Sequence, residues 1–182
     1  SPEHRGGGMT PPSIVLHGPE STGKSTLAAR LAAHYGTVWV PEYGRTYCEE
    51  HGTDLVPDDL VAIMEGHVTA RRALESQARG FTLQDTDPIM TAAWSMMLFG
   101  HRIPALDAFT EVGELYLLMD IDLPWIGDEV RMFPERVEQE RFFALCREEL
   151  VRRDLPFVTI SGDGNARYRQ ALAAIDGAGL PV

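Results

Sequence analysis

One stretch constrains this chain more than any other: HGPESTGKST, His17 to Thr26. Within it Gly18-Pro19-Glu20-Ser21-Thr22-Gly23-Lys24-Ser25 fits the pattern G-x-x-x-x-G-K-[ST]. The pattern follows Ser13 to His17 (SIVLH), a short β-branched run that reads as a buried strand. It precedes a helical spacing from Lys24 to Tyr35, with Leu27 and Leu31 on one face and Gly36 as the stop. Strand, glycine loop and helix in this order form an anion cradle. Backbone N–H groups converge on the phosphates and the helix N-terminus adds a positive dipole end. Lys24 is placed to reach the β- and γ-phosphates and Ser25 to ligate Mg²⁺, so the expected ligand is a nucleoside triphosphate. The loop does not choose among hydrolysis, switching and phosphoryl transfer.

Beyond the loop, strands and helices alternate. Thr37 to Val40 reads as a second strand, and a long helix follows from Asp58, its expected cap, to about Arg79. Phe81 to Gln84 reads as a third strand, and Asp87-Pro88 starts a helix that carries Trp94. Glu114 to Met119 and Phe157 to Ile160 read as strands four and five, with helices over Glu135 to Arg152 and Ala166 to Ile175. This alternation predicts an α/β fold: a P-loop NTPase in three α/β/α layers, with a mostly parallel five-stranded sheet and a short lid at roughly residues 125–141. The 182 residues fit one domain, residues 9–182, and the opening SPEHRGGG before Met9 reads as an expression remnant.

Charge narrows the partners. At a net −11 most of the surface repels a long polyanion, so nucleic acid is not an expected partner, whereas a small anion can still enter one positive pocket. The longest apolar stretches fall short of a membrane span, so no membrane insertion is expected. Cys48 and Cys146 have no paired spacing, which suits a reducing cytoplasm, and Cys48 with His51 lacks a second pair for a zinc site. The oligomeric state is left open.

Ligands of such a sheet gather at the carboxyl ends of its strands, where the discriminating residues lie. PEYGRTY after the second strand offers Glu42, a carboxylate able to orient or deprotonate a substrate hydroxyl, with Tyr43 and Arg45 beside it. As a dipeptide Glu42 and Arg45 could equally pair in a surface turn. DTD after the third strand puts Asp85 where a P-loop protein places its Mg²⁺-holding acid, while Asp87 reads equally well as a helix cap. Arg131 lies in a polar segment that could close as a lid, whereas Arg136 and Arg141 fit ion pairs along a helix. SGDGN, Ser161 to Asn165, is either an adenine-side loop or a plain turn, and His67 either a core histidine or a substrate-facing one.

Taken together, GPESTGKST, PEYGRTY, DTD followed by Trp94 and Leu98-Phe99-Gly100, LPW with Asp128 and Arg131, and the tail RRDLPFVTISGDGNARY resemble the ribosylnicotinamide kinase domain of the NadR family. The resemblance spans most of Ile14 to Ile175. It implies ATP-dependent phosphorylation of the 5′-hydroxyl of nicotinamide riboside, a step of NAD salvage. It further implies that Gly18, Pro19, Glu20, Ser21, Thr22, Gly23, Lys24, Ser25 and Thr26 bind ATP and that Ser25 and Asp85 serve magnesium. Glu42, Tyr43 and Arg45 would lie near the riboside, with Asp87 and Trp94 as further contacts. Glu42 and Asp85 are rivals for the general base, and Lys24 and Arg131 complete the catalytic set. Glu129 stands where the family's lid often has glycine, and Val68 where some relatives carry glutamine. The length implies a stand-alone kinase without the adenylyltransferase or DNA-binding segments of bifunctional members. Kinases of other nucleosides, and a regulatory module that binds nucleotide without transfer, share the loop and remain alternatives.

Overall fold

A computed structural model describes residues 10–20, 22–122 and 135–180. The elements run β1 (Ser13–His17), α1 (Lys24–Tyr35), β2 (Trp39–Val40), α2 (Tyr43–His51), α3 (Pro57–Leu74), β3 (Thr82–Asp85), α4 (Pro88–Phe99), α5 (Pro104–Asp107), β4 (Leu115–Met119), α6 (Arg136–Arg152), β5 (Phe157–Ile160) and α7 (Gly164–Gly177). The five strands form one sheet in the order β2-β3-β1-β4-β5. Every pairing between them is parallel.

Side-chain alternation divides the core into two faces. Ile14, Leu16, Leu83, Leu117 and Met119 point to one, where Leu27 and Leu31 of α1 and Ala171 and Ile175 of α7 cover them. Val15, Tyr116 and Leu118 point to the other, against Leu60 and Ile63 of α3, Ile89 and Ala93 of α4, and Phe142 and Leu150 of α6. Because both faces are covered, β4 reads LYLLM and is buried at every position. That is the apolar run expected of a central parallel strand. Truncating one such side chain, Leu117→Ala for instance, costs about 2–5 kcal/mol.

Several boundaries differ from the sequence reading. PEYGRTY is not a turn: Glu42 sits at the N-cap of α2, which runs to His51. Asp58 does not cap α3. Val56 takes the N-cap with Pro57 at N1, and the Val56 N–H donates to Asp59 Oδ2 at 2.7 Å. The helix stops at Leu74 and a 3₁₀ turn, Glu75–Gln77, follows instead of more α-helix. The third strand ends at Asp85 itself, which places that carboxylate on the last rung beside Leu16.

Candidate active site

The site collects at the carboxyl ends of β1, β2 and β3. Gly18 has φ +136°, and a Cβ there would lie 2.9 Å from Met119 O, so the chain leaves β1 along a path open to glycine alone. Gly23 takes φ 79° as the left-handed N-cap of α1, which turns the chain into the helix. Thr22 Oγ1 and Lys24 Nζ both donate to Pro19 O, each at 2.9 Å, and fold the loop back on itself. Lys24 is therefore buried, at 6% exposure, with its ammonium beside the loop backbone. Glu20 belongs to the described loop and Thr26 is exposed on α1, whereas Ser21 lies outside the described residues.

Ser25 Oγ donates to Asp85 Oδ2 at 2.6 Å. Asp85 Oδ1 is buried and has no hydrogen-bond partner among the described residues. A hydroxyl and a carboxylate with a spare buried lone pair form a hard oxygen donor set, the kind that holds Mg²⁺ through one or two protein ligands. The residues present therefore fit the ion the sequence called for.

Next to the loop lies a narrow cleft that opens to solvent. Glu42, Asp87, Tyr43, Trp94 and His67 line it together with Thr86 and Met90. Burial pushes the Glu42 carboxyl above its usual range, opposed by the nearby Lys24 charge and reinforced by Asp85. Burial also pushes Asp87 up to about 6, against the hydrogen bonds it accepts from Tyr116 and the Ile89 N–H. Those bonds, 2.6 Å from Tyr116 Oη and 2.9 Å from Ile89 N, make Asp87 the cap of α4 as well as part of the pocket wall. His67 is held low by burial and pairs through Nε2 with Gln84 Oε1 at 2.7 Å, so it is a neutral wall residue. Trp94 is 4% exposed, and its Nε1 has no partner among the described residues.

Two anticipated residues stand apart. Arg45 is exposed on α2 and is not among the pocket's lining residues, and its charge reaches Glu42 only through space. Arg131 lies outside the described residues, as do Trp125 and Asp128 of the expected lid.

Sequence reasoning missed three supporting residues. Arg167 is 2% exposed and donates to Gly162 O at 2.7 Å, Asp120 O at 2.9 Å and Thr22 O at 3.3 Å, and pairs with the Asp122 carboxylate. It ties the phosphate loop to the ends of β4 and β5. The SGDGN loop is accordingly a braced turn, with Asp163 capping α7 by accepting from Ala166 N at 2.8 Å. His17 is fully buried, its Nε2 is 2.9 Å from Cys146 O, and burial lowers its pKa to about 4. Thr86, between the two aspartates, sits at φ 76°, strained for a β-branched residue and held by its N–H to Leu16 O at 2.9 Å. No local sequence signal marks these residues, because their partners lie far along the chain: Thr22 for Arg167, Cys146 for His17 and Leu16 for Thr86.

Known proteins resemble this chain in sequence and in fold. The chain is 29% identical to the trifunctional NAD biosynthesis/regulator protein NadR of Escherichia coli (strain K12) over 90% of its own length, and 28% identical to that of Salmonella typhimurium. It spans 42% of each of these relatives. A crystal structure of NadR protein in complex with NR superposes with a TM-score of 0.79 at 22% identity, over 93% of this chain and 52% of that one. Thymidylate kinase from Ehrlichia chaffeensis shares the fold at a TM-score of 0.64 and 14% identity, over 90% and 97% of the two chains. A family model described as AAA domain matches residues 13–167, β1 through Arg167, and the chain therefore belongs to the AAA domain family.

Proposed function

We propose that the chain is a small-molecule kinase that transfers the γ-phosphoryl group of ATP to the 5′-hydroxyl of nicotinamide riboside, yielding the mononucleotide for NAD synthesis in the cytoplasm. The observation that carries this reading is the pocket beside the phosphate loop: two carboxylates, Glu42 and Asp87, two aromatic rings, Tyr43 and Trp94, and, among the described residues, no lysine or arginine in its lining. Such a wall repels a substrate that already bears a phosphate. It favours an aromatic cation, which the pyridinium ring of nicotinamide riboside is.

In this reading the loop amides from Gly18 to Thr26 hold the triphosphate, and Lys24 spreads positive charge over the β- and γ-phosphates. Ser25 and Asp85 would hold magnesium, which neutralises charge on the phosphate oxygens when bound. With Asp85 engaged by Ser25, the general base is Glu42, which lines the acceptor pocket and whose raised pKa makes it a better proton acceptor than an ordinary glutamate. Asp87 and Trp94 contact the riboside, Arg45 acts through its field on Glu42, and Arg131 is the lid arginine.

A second reading, a kinase for another nucleoside, draws support from the fold shared with thymidylate kinase and deoxyadenosine kinase. One panel separates the two: kcat/KM for nicotinamide riboside, nicotinate riboside, adenosine, thymidine and thymidine monophosphate. The expected order puts nicotinamide riboside first and the monophosphate last. Preferred turnover of the monophosphate would contradict the charge argument, and nucleotide binding with no product would favour a regulatory module.

A further inference from the structure

Two glycines next to the acceptor pocket have no backbone reason to be glycine. Gly44 lies inside α2 and Gly66 inside α3, and neither has a positive φ. Glycine is a poor helix former at such positions, so packing must explain it.

The packing does so in each case through one wall of the pocket. A Cβ on Gly66 would fall 2.1 Å from Tyr43 Cε1 and 2.2 Å from Cζ, because the tyrosine ring lies directly on the α3 backbone. A Cβ on Gly44 would meet Trp94 Cη2 at 3.2 Å. Tyr43 and Trp94 are the aromatic walls of the acceptor pocket, while Gly66 is not itself part of the lining, so the tyrosine ring stands between Gly66 and the cavity. Among the described residues no hydrogen bond holds the Tyr43 hydroxyl, so packing positions the ring: the bare backbone at Gly66, the core cluster, and the Tyr47 ring with centroids 6.5 Å apart.

We infer that Gly66 and Gly44 are specificity-determining positions, which set the width of the acceptor pocket by seating Tyr43 and Trp94 on bare helix backbone. The inference rests on the reading of this pocket as the acceptor site. A methyl group at Gly66 forces the ring from 2.1 Å to at least the 3.4 Å where ordinary contact begins, and the displaced ring is itself part of the cavity wall, beside Ile63 and His67 of α3. A methyl group at Gly44 needs a shift of only a few tenths of an ångström. The wall of the acceptor site moves strongly in the first case and slightly in the second, while the phosphate loop is untouched.

The test is a kinetic and thermal double-mutant cycle in Gly66→Ala, Tyr43→Ala and the pair, with Gly44→Ala alongside. Displacements of about 1 Å at a reacting group cost up to roughly a hundredfold, so G66A should raise the acceptor KM by about ten- to a hundredfold and G44A by less than about threefold. The KM for ATP should stay within about twofold in both. In the Y43A background, G66A should add nothing to the acceptor KM and should raise Tm, because alanine is the better helix former once the ring is gone. An unchanged acceptor KM in G66A, or an equal rise with and without Tyr43, would overturn the inference. If the wild type phosphorylates no riboside, the functional reading fails. The Tm cycle then decides the seat: a gain confined to the Y43A background supports it and an equal gain in both backgrounds refutes it.

Discussion

His17 offers a stability test that needs no substrate. The ring is fully buried at the end of β1, packs edge-on against Tyr116 with centroids 5.8 Å apart, and reaches Cys146 O on α6 through Nε2. Burial, helped by the charge of Lys24 and opposed by the Cys146 hydrogen bond, lowers its pKa from 6.5 to about 4. The folded state thus binds the proton less tightly than the unfolded state. The stability due to this depressed pKa is fully present above pH 6.5 and is lost as pH falls toward 4. Integrating that shift gives a loss of about 2 kcal/mol between pH 7 and pH 5. Glutamine can keep an N–H donor toward Cys146 O without titrating, so His17→Gln should abolish this component alone. The assay is urea unfolding of both proteins at the two pH values. With an m-value of about 3 kcal/mol/M, the wild-type midpoint should fall by about 0.7 M more than that of the variant. Other titrating groups, Asp87 and Glu42 among them, act in both proteins and cancel in the difference. Parallel pH profiles would show that His17 is not held neutral by burial and would refute the reasoning.

Other substitutions probe the loop and its braces. Lys24→Ala should cost about 10²–10³ in kcat yet leave Tm nearly unchanged, since Pro19 O keeps the Thr22 hydroxyl as donor, and full activity would remove Lys24 from the phosphates. Arg167→Met strands the carbonyls of Thr22, Asp120 and Gly162, so it should cost roughly 3 kcal/mol, lower Tm by about 10 °C and weaken ATP binding in calorimetry. A Tm within about 2 °C of wild type would deny Arg167 that role. Thr86→Gly should keep stability within about 1 kcal/mol by relieving the φ 76° strain, while kcat falls as the flanking aspartates lose their register, and a large loss of stability in denaturant unfolding would show that packing, not strain, governs the position.

The phosphate loop and the strands leading to it were legible because their signals are local: Gly18 and Gly23 are needed by the backbone, and Ser13–His17 by burial on both faces. Helix α2 was not legible. Tyr43, Gly44, Thr46 and Tyr47 are weak helix formers, and the helix is held from outside by α3, with Tyr47 Oη donating to Asp59 Oδ1 at 2.5 Å. The carboxylate that serves the N-cap of α3 is Asp59 and not Asp58, because with Pro57 at N1 it is the N3 side chain that accepts from the N–H of Val56, the N-cap residue. Asp87 was read as either a cap or a site residue, and in the structure it caps α4 and lines the pocket. Arg167 and His17 escaped because arginine is usually solvated and a strand-end histidine ambiguous, and their roles rest on partners more than a hundred residues away, Thr22 and Cys146. The glycines of α2 and α3 carry no sequence signal for the rings of Trp94 and Tyr43 that lie on them.

The central claim is that the pocket beside the loop presents a hydroxyl to the γ-phosphate, and the most direct measurement follows that phosphate. Incubating the protein with magnesium, γ-labelled ATP and nicotinamide riboside should move the label onto the riboside's 5′-oxygen, and Glu42→Gln should abolish the transfer while ATP still binds. Label appearing only as inorganic phosphate, or transfer undiminished in Glu42→Gln, would contradict the account.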